Sequence, residues 1–530
     1  MLQLKSDIVI IGGGLGGVAA ARAALKAGMR VILTEETDWI GGQSTTQAVP
    51  PDEHSKIEEY GSTAAYREFR ERVREYYRNN YPLTEEARNN PHLNPGNGWV
   101  SRIAHEPKVA LRVLQDMLAP YENSGRLTIL YHTVPVSADV QDDMVRSVMV
   151  ENTKTGERTQ LEGAYVLDAT ETGDLLPITG TEFVMGAESR DQTGEPHALE
   201  TPDPLDMQSI THVAAVDYVE GGSFVIEKPE QYDFWRSYIP NFSQFPILDW
   251  NAMNAEGSKT VKFTLFREPN QGMTSLWDYR RILNPANLSE PLYDGELTLL
   301  NWPQNDYFLG PIIGVSPEER AKHLEGARQL TLSLIYWLQT EAPRPDGGKG
   351  YPGIRLRGDA VGTEDGLAKA AYIRESRRIK AVYTIVEQDV SREARGEAGI
   401  KSYEDSVGVG SYYLDLHPTT VSQRGFYIPS YPFEIPLGSL LPVRMKNLLP
   451  ACKNIGTTQI TNGCYRLHPV EWNIGESAGY LAAYAVKNGV TPHQVREDQE
   501  QLNAFLRMLD DQGVERHWPD SLYAELGLTK

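Results

Sequence analysis

With 530 residues, 40% of them hydrophobic and 23% charged, the chain is long enough for two or three domains with sizeable cores and has an ordinary soluble, globular composition. A formal charge of −21 argues against a nucleic-acid partner, because phosphate recognition leaves a basic footprint; the excess acid reads as solubility and leaves room for a local basic pocket. Two cysteines, Cys452 and Cys464, exclude a disulfide framework; they read as buried thiols, with a redox pair the alternative, although their spacing is not CxxC. No run approaches the roughly 18 apolar residues of a membrane span. The chain enters a strand pattern at once, without a signal-peptide succession, so the expectation is a cytoplasmic protein with no membrane partner.

The first strand runs through Ile8, Val9, Ile10 and Ile11, continuously apolar as in a parallel sheet buried on both faces. Gly12, Gly14 and Gly17 follow in GxGxxG spacing. Val18 to Ala27 is an alanine-rich helix that Gly28 ends, Met29 to Thr34 is a second strand, and Glu35 closes it, 23 positions after Gly12. Gly12 permits the tight turn, Gly14 lets backbone approach a pyrophosphate, and Gly17 lets helix and strand pack closely. The helix start, with Leu15, Gly16 and Gly17, supplies free N–H groups and positive dipole for phosphates. Glu35, with Glu36 beside it, suits the two hydroxyls of an adenosine ribose and disfavours NADP. A lone glycine fingerprint is weak; strand, glycines, helix, strand and acid in order are the context it requires. The unit does not choose between NAD and FAD.

Three further segments bear on that choice. Trp39 to Thr46, with Gly41, Gly42, Gln43 and Ser44, resembles the Gly-Gly element that runs along FAD in two-dinucleotide-binding flavoproteins. Leu127 to Val140 reads as paired strands, with Val134 a cofactor contact, and Met144 to Asn152 with Arg158 to Leu161 reads as a meander. Ala164 to Asp174 is similar to the second FAD fingerprint of that fold and contributes Ala169, Thr170 and Gly173; Glu171 and Thr172 depart from its commonest form. Gly475 to Ala483 reads as a small-residue helix. The resemblance implies that this helix, with Asn473, Gly475 and Glu476, points its N-terminus at the flavin and stabilises negative charge on the reduced ring.

Together these segments resemble the FAD-dependent oxidoreductase family of the glutathione-reductase-like flavoproteins and, distantly, the fumarate reductase flavoproteins. The resemblance implies an α/β fold: a Rossmann-type FAD-binding domain, parallel sheet plus β-meander, with an inserted α+β substrate domain. The expected division is 1–186 and 431–490 for the FAD-binding domain, 187–430 for the substrate domain and 491–530 for a helical tail.

In the middle of the chain, Pro317 to Glu341 is the clearest helix, with Leu324, Ala327, Leu334, Trp337 and Leu338 at core spacing. Glu364 to Glu387 reads as a second helix, on which Arg374, Arg377 and Arg378 share a face. Their partner is either an internal acid such as Glu375 or Asp389, or a substrate oxyanion or the flavin edge. His417 and His468 each stand beside a proline in family-like loops and are the candidate bases, with Arg466 or Arg374 orienting the substrate. No His/Cys/Asp/Glu cluster has metal-ligand spacing. His54 is a candidate for covalent flavin attachment. Thr491 to Gln512 reads as an amphipathic helix serving as a docking element or a homo-oligomer contact. The expected reaction is hydride transfer from a polar CH–OH or CH–NH donor to FAD, by a dehydrogenase or oxidase, with a carbohydrate suggested only by the family's company. The alternatives are fumarate-reductase-like reduction of an activated alkene and a non-catalytic flavin-binding subunit.

Overall fold

The computed structural model of the protein describes residues 2–267, 273–292 and 295–528. Its first third contributes β1 (Leu2–Lys5), β2 (Ile8–Ile11), α1 (Leu15–Lys26), β3 (Val31–Thr34), β4 (Leu127–Leu130), β5 (Thr133–Gln141), β6 (Met144–Asn152), β7 (Arg158–Glu162) and β8 (Tyr165–Asp168). Because β2 is apolar and buried at every position, it takes the centre of a sheet covered on both faces. It pairs in parallel with β3 and β8; β4 extends the sheet beyond β3, and the strand Leu448–Pro450 extends it beyond β8. The meander is a second sheet in the order β1-β7-β6-β5.

The two strands within Leu127 to Val140 are therefore not paired with each other. β4 belongs to the parallel sheet and β5 pairs with β6; His132, at φ +54°, turns the chain from one sheet into the other.

On one face of the parallel sheet, α1 lies against the helix His468–Asn488 with backbones in contact. A Cβ on Gly475 would stand 2.0 Å from the carbonyl oxygen of Gly16, and one on Gly479 would stand 2.3 Å from that of Ala20. This helix begins seven residues before the expected start at Gly475, because Pro469 falls in its first turn, where the missing N–H costs nothing.

A second core lies under the antiparallel sheet Arg281–Leu283, Leu297–Leu300, Ala214–Tyr218 and Ile354–Leu356. The helix Pro317–Thr340 packs there with Ala327, Leu334, Trp337 and Leu338 buried and Leu324 at the margin. The expected helix over Glu364 to Glu387 does not form. Its backbone groups bond to distant segments instead: Tyr372 N–H to Thr211 at 2.7 Å, Ile379 N–H to Asn454 at 3.0 Å and Lys380 N–H to Glu182 at 2.8 Å. Tertiary pairing here overrides local helix preference.

The C-terminal segment is two helices, Pro492–Glu497 and Gln499–Asp511, divided at Asp498, whose carboxylate caps the second. Val495, Leu502, Leu506 and Leu509 bury their stripe in the chain's own main core, so the segment docks on the protein itself. Among the described residues, no helix is long and apolar enough to cross a membrane.

Candidate active site

The carboxyl ends of β2, β3 and β8 open into a cleft lined by Gly12, Gly14, Glu35, Glu36, Ala169 and Thr170, together with Gly42 and Val134. Gly12 sits at φ +103°, and a Cβ there would stand 2.3 Å from the Ala169 carbonyl oxygen. The glycine thus answers both to the turn and to the neighbouring fingerprint strand. α1 starts at Gly14 with no side-chain cap, and Gly16 N–H donates to Glu471 Oε1 at 3.0 Å. Glu35 Oε1 accepts from the Thr37 N–H at 2.8 Å and its hydroxyl at 2.7 Å, while burial and the neighbouring Glu36 push the Glu35 pKa up to about 8.

The other expected cofactor contacts divide into two groups. Leu15 and Gly17 lie in the first turn of α1. Gly41, at φ +110°, donates its N–H to the Gly13 carbonyl at 2.8 Å, and Gly173 makes the left-handed turn after Thr170. Gln43 donates to the Arg466 carbonyl at 3.0 Å and to Glu471, and the buried Ser44 hydroxyl has no protein partner. Asn473, Gly475 and Glu476 do not line the cleft: Asn473 donates to the Val407 carbonyl at 2.9 Å, Gly475 abuts α1, and Glu476 accepts from the Trp472 indole at 2.9 Å. They face the packing side of a helix whose N-terminus lies seven residues upstream. Glu171, Cys452 and Glu471 converge, but the buried Lys453 ammonium sits among them, bonded to Glu171 and 3.5 Å from Glu471.

Ile373 lines the same cleft, and the residues on either side of it enter an ion-pair network. Arg374 donates to Asp306 Oδ1 at 2.9 Å, and the Thr211 hydroxyl donates to the same oxygen at 2.6 Å. His417 bonds Asp306 Oδ2 through Nδ1 at 2.6 Å and stands 3.3 Å from Asp415 through Nε2. Arg466 donates to Asp415 at 3.0 Å and to the Tyr372 hydroxyl at 2.8 Å. Burial and Arg374 oppose a charge on His417, but Asp415 and Asp306 outweigh them and raise its pKa above the ordinary imidazole value. Burial likewise opposes ionisation of Asp306 and is overcome by Arg374 and His417, which hold its pKa low.

His417, Arg374 and Arg466 are thus brought together. His468 is not: its Nδ1 accepts from Asp52 N–H at 3.2 Å, its Nε2 bonds the Val49 carbonyl at 3.0 Å, and burial lowers its pKa to about 4. Both His468 ring nitrogens are thus engaged by the 49–52 loop, apart from the network that holds His417. The loop's Asp52 in turn pairs with Arg280 at 3.1 Å. The three arginines expected on one helix face go to separate acids: Arg374 to Asp306, Arg377 to Asp174 at 3.1 Å, and Arg378 to Glu375 at 2.7 Å. His54 is held by Gly61 and Lys56 through its two nitrogens, which leaves none for a covalent bond to flavin. Both cysteines are buried free thiols.

Residues 7–506 match the sequence model of the family described as FAD dependent oxidoreductase. The chain belongs to this family. FAD is its cofactor, and the protein is an FAD-dependent oxidoreductase. A 47-residue stretch is 49% identical to the N,N-dimethylglycine/sarcosine dehydrogenase of Chromohalobacter salexigens, covering 9% of this chain and 7% of that protein. Among solved structures, a geranylgeranyl bacteriochlorophyll reductase-like protein of Thermoplasma acidophilum is 10% identical over 97% of this chain and 85% of its own, with a TM-score of 0.32. Sdh1 of Mycobacterium smegmatis is 13% identical over 95% and 72%, also with a TM-score of 0.32.

The cleft suits FAD by its donor set. A buried carboxyl group ends β3, and an uncapped helix start faces the glycine turn. Sequence reasoning missed Gln47, Thr133, Arg320 and Ile373 in the cleft and Asp306 and Asp415 in the network. Asp415 stood two residues before a noted histidine, and Gln47, Thr133 and Ile373 adjoin Thr46, Val134 and Arg374; Arg320 and Asp306 carry no local signal.

Proposed function

We propose that this oxidoreductase oxidises a polar small-molecule donor at a CH–OH or CH–NH carbon, with His417 accepting the proton. The reading is carried by one observation: His417 borders an open cavity, is braced by Asp306, and belongs to a network that adjoins the cofactor cleft through Ile373. Arg374 and Thr211 fix Asp306, so a neutral His417 donates Nδ1–H to it and presents Nε2 to the donor's O–H or N–H. The longer, 3.3 Å contact to Asp415 is the one a donor would replace. Arg466, itself bonded to the Tyr372 hydroxyl, holds Asp415 in place as an acceptor for a further donor hydroxyl or ammonium. Bound FAD supplies the hydride acceptor. Glu35 would hold its ribose, and the start of α1 its pyrophosphate.

The test is anaerobic loss of flavin absorbance with panels of sugars, cyclic alcohols and amines, followed by a pH profile on the donor that works. A base must be neutral to act. Since the His417 pKa is raised, the reduction rate climbs with pH through a midpoint above about 6.5. A rate that falls over this range removes His417 as the base. Failure of every donor, with reoxidation of dye-reduced protein by an enoate, would instead favour the second reading, reduction of an activated alkene, to which the same carboxylate-held imidazolium would donate its proton.

Replacing Glu35 by alanine is expected to weaken FAD binding by about 5- to 100-fold, the cost of leaving buried ribose hydroxyls without their hydrogen-bond partner, as read by titrating apoprotein with FAD. Unchanged affinity would remove Glu35 from the cofactor site.

A further inference from the structure

We infer that the donor is amphipathic, a polyhydroxylated ring carrying an apolar arm, recognised by two cavities of opposite character that meet at His417. The inference rests on the donor-oxidising reading above and adds the substrate class.

The larger cavity, about 900 Å³, is bordered by Trp99, Tyr279, Tyr412, Tyr413 and Tyr427. Tyr413 and Tyr427 stack at 4.1 Å and 17°, yet remain 43% and 45% exposed; Trp99, edge-on to Tyr279 at 4.7 Å, is 55% exposed. Aromatic faces left open around one concavity serve a ligand better than they serve stability. Ser55, Ser411, Arg102, Asp415 and His417 are interleaved with them. A flat ring with C–H faces and hydroxyl edges matches this alternation of platforms and hydrogen-bonding groups, where a wholly apolar ligand would strand the polar groups.

The smaller cavity, about 210 Å³, is walled by Phe242, Ile247, Met253, Val261, Phe263 and Phe308. Its charged lining, among the described residues, is Asp306, Asp415 and His417. Ala255, Asp415 and His417 border both cavities. A small polyol would fill only the larger one. An apolar compartment opening on the same imidazole gains from occupancy when the donor carries an apolar group close to its reacting carbon.

The test uses FAD-loaded protein and isothermal titration calorimetry with three probes: methyl β-D-glucopyranoside, octyl β-D-glucopyranoside below its micelle threshold, and 1-octanol. The octyl glycoside is expected to bind at least tenfold more tightly than either other probe. Ala252→Trp, which fills the apolar cavity, should abolish that advantage while leaving the methyl glycoside unchanged. Tyr427→Ala, at an exposed position, should weaken both glycosides several-fold. If Ala252→Trp does not fold, Phe242→Ala on the same wall reads the arm, with at least a threefold loss for the octyl glycoside alone. Equal affinities for the two glycosides, binding of neither, octanol matching the octyl glycoside, or an octyl advantage that survives both wall variants would each overturn the inference. Because binding is read without turnover, octyl-selective binding with no flavin bleaching would sink the donor reading while the paired cavities stand.

Discussion

Replacing His417 by asparagine is expected to slow anaerobic flavin reduction by about 10³-fold, within the range for loss of a positioned acid–base group, and to leave FAD content unchanged. The specificity of that result follows from the geometry. His417 borders the two cavities away from the dinucleotide and has no contact with the glycine turn or with Glu35. Asparagine keeps a donor for Asp306 but cannot accept and hold a proton at neutral pH. Asp306 is the poorer probe: removing its charge leaves Arg374 buried and without its carboxylate, a change that costs about 3–5 kcal/mol and confuses stability with catalysis. Stopped-flow reduction, with flavin content measured in parallel, checks the expectation. Full speed in the asparagine variant would mean that the proton leaves by another route.

Gly475→Val is expected to destabilise the fold by about 3 kcal/mol or more, at the upper end of overpacking costs, and to yield protein depleted in FAD. The new Cβ would stand 2.0 Å from the Gly16 carbonyl oxygen, a backbone atom that cannot swing aside as a side chain can. Relief requires separating the His468–Asn488 helix from α1. Gly16 itself has no slack, since a Cβ on it would lie 2.0 Å from the Ala451 carbonyl oxygen. The strain therefore passes into the first turn of α1, beside the cofactor cleft. Denaturant melts and the ratio of flavin to protein absorbance read both effects. A variant with wild-type midpoint and full flavin would contradict the backbone-to-backbone packing of these helices.

How much of this was legible depends on the distance over which each feature is encoded. The dinucleotide unit was readable because its parts are contiguous: an apolar strand, glycines at fixed offsets, an alanine-rich helix and a terminal acid at Glu35. The meander and the helix Pro317–Thr340 were readable for the same reason, since period 2 and period 3.6 are local properties. The start of the second long helix was misread at Gly475 because Pro469 looks like a loop residue, although proline suits a first turn.

The segment around Arg374 marks the boundary. Its alternating charge and small apolar residues satisfy a helical period, and nothing local forbids one. What forbids it is that Tyr372 pairs with Thr211, Ile379 with Asn454 and Lys380 with Glu182. Those bonds exist only once the second core has formed. The network shares that origin: Asp306, Arg374, Asp415, His417 and Arg466 come from four separate stretches of chain, and no spacing rule relates them. Sequence alone determined the strand, glycine turn, helix and terminal acid of the first unit, because these are neighbours in the chain. The tertiary structure alone decided which acid faces which base, because burying a charge is tolerable only beside its partner, and the partner is chosen by packing.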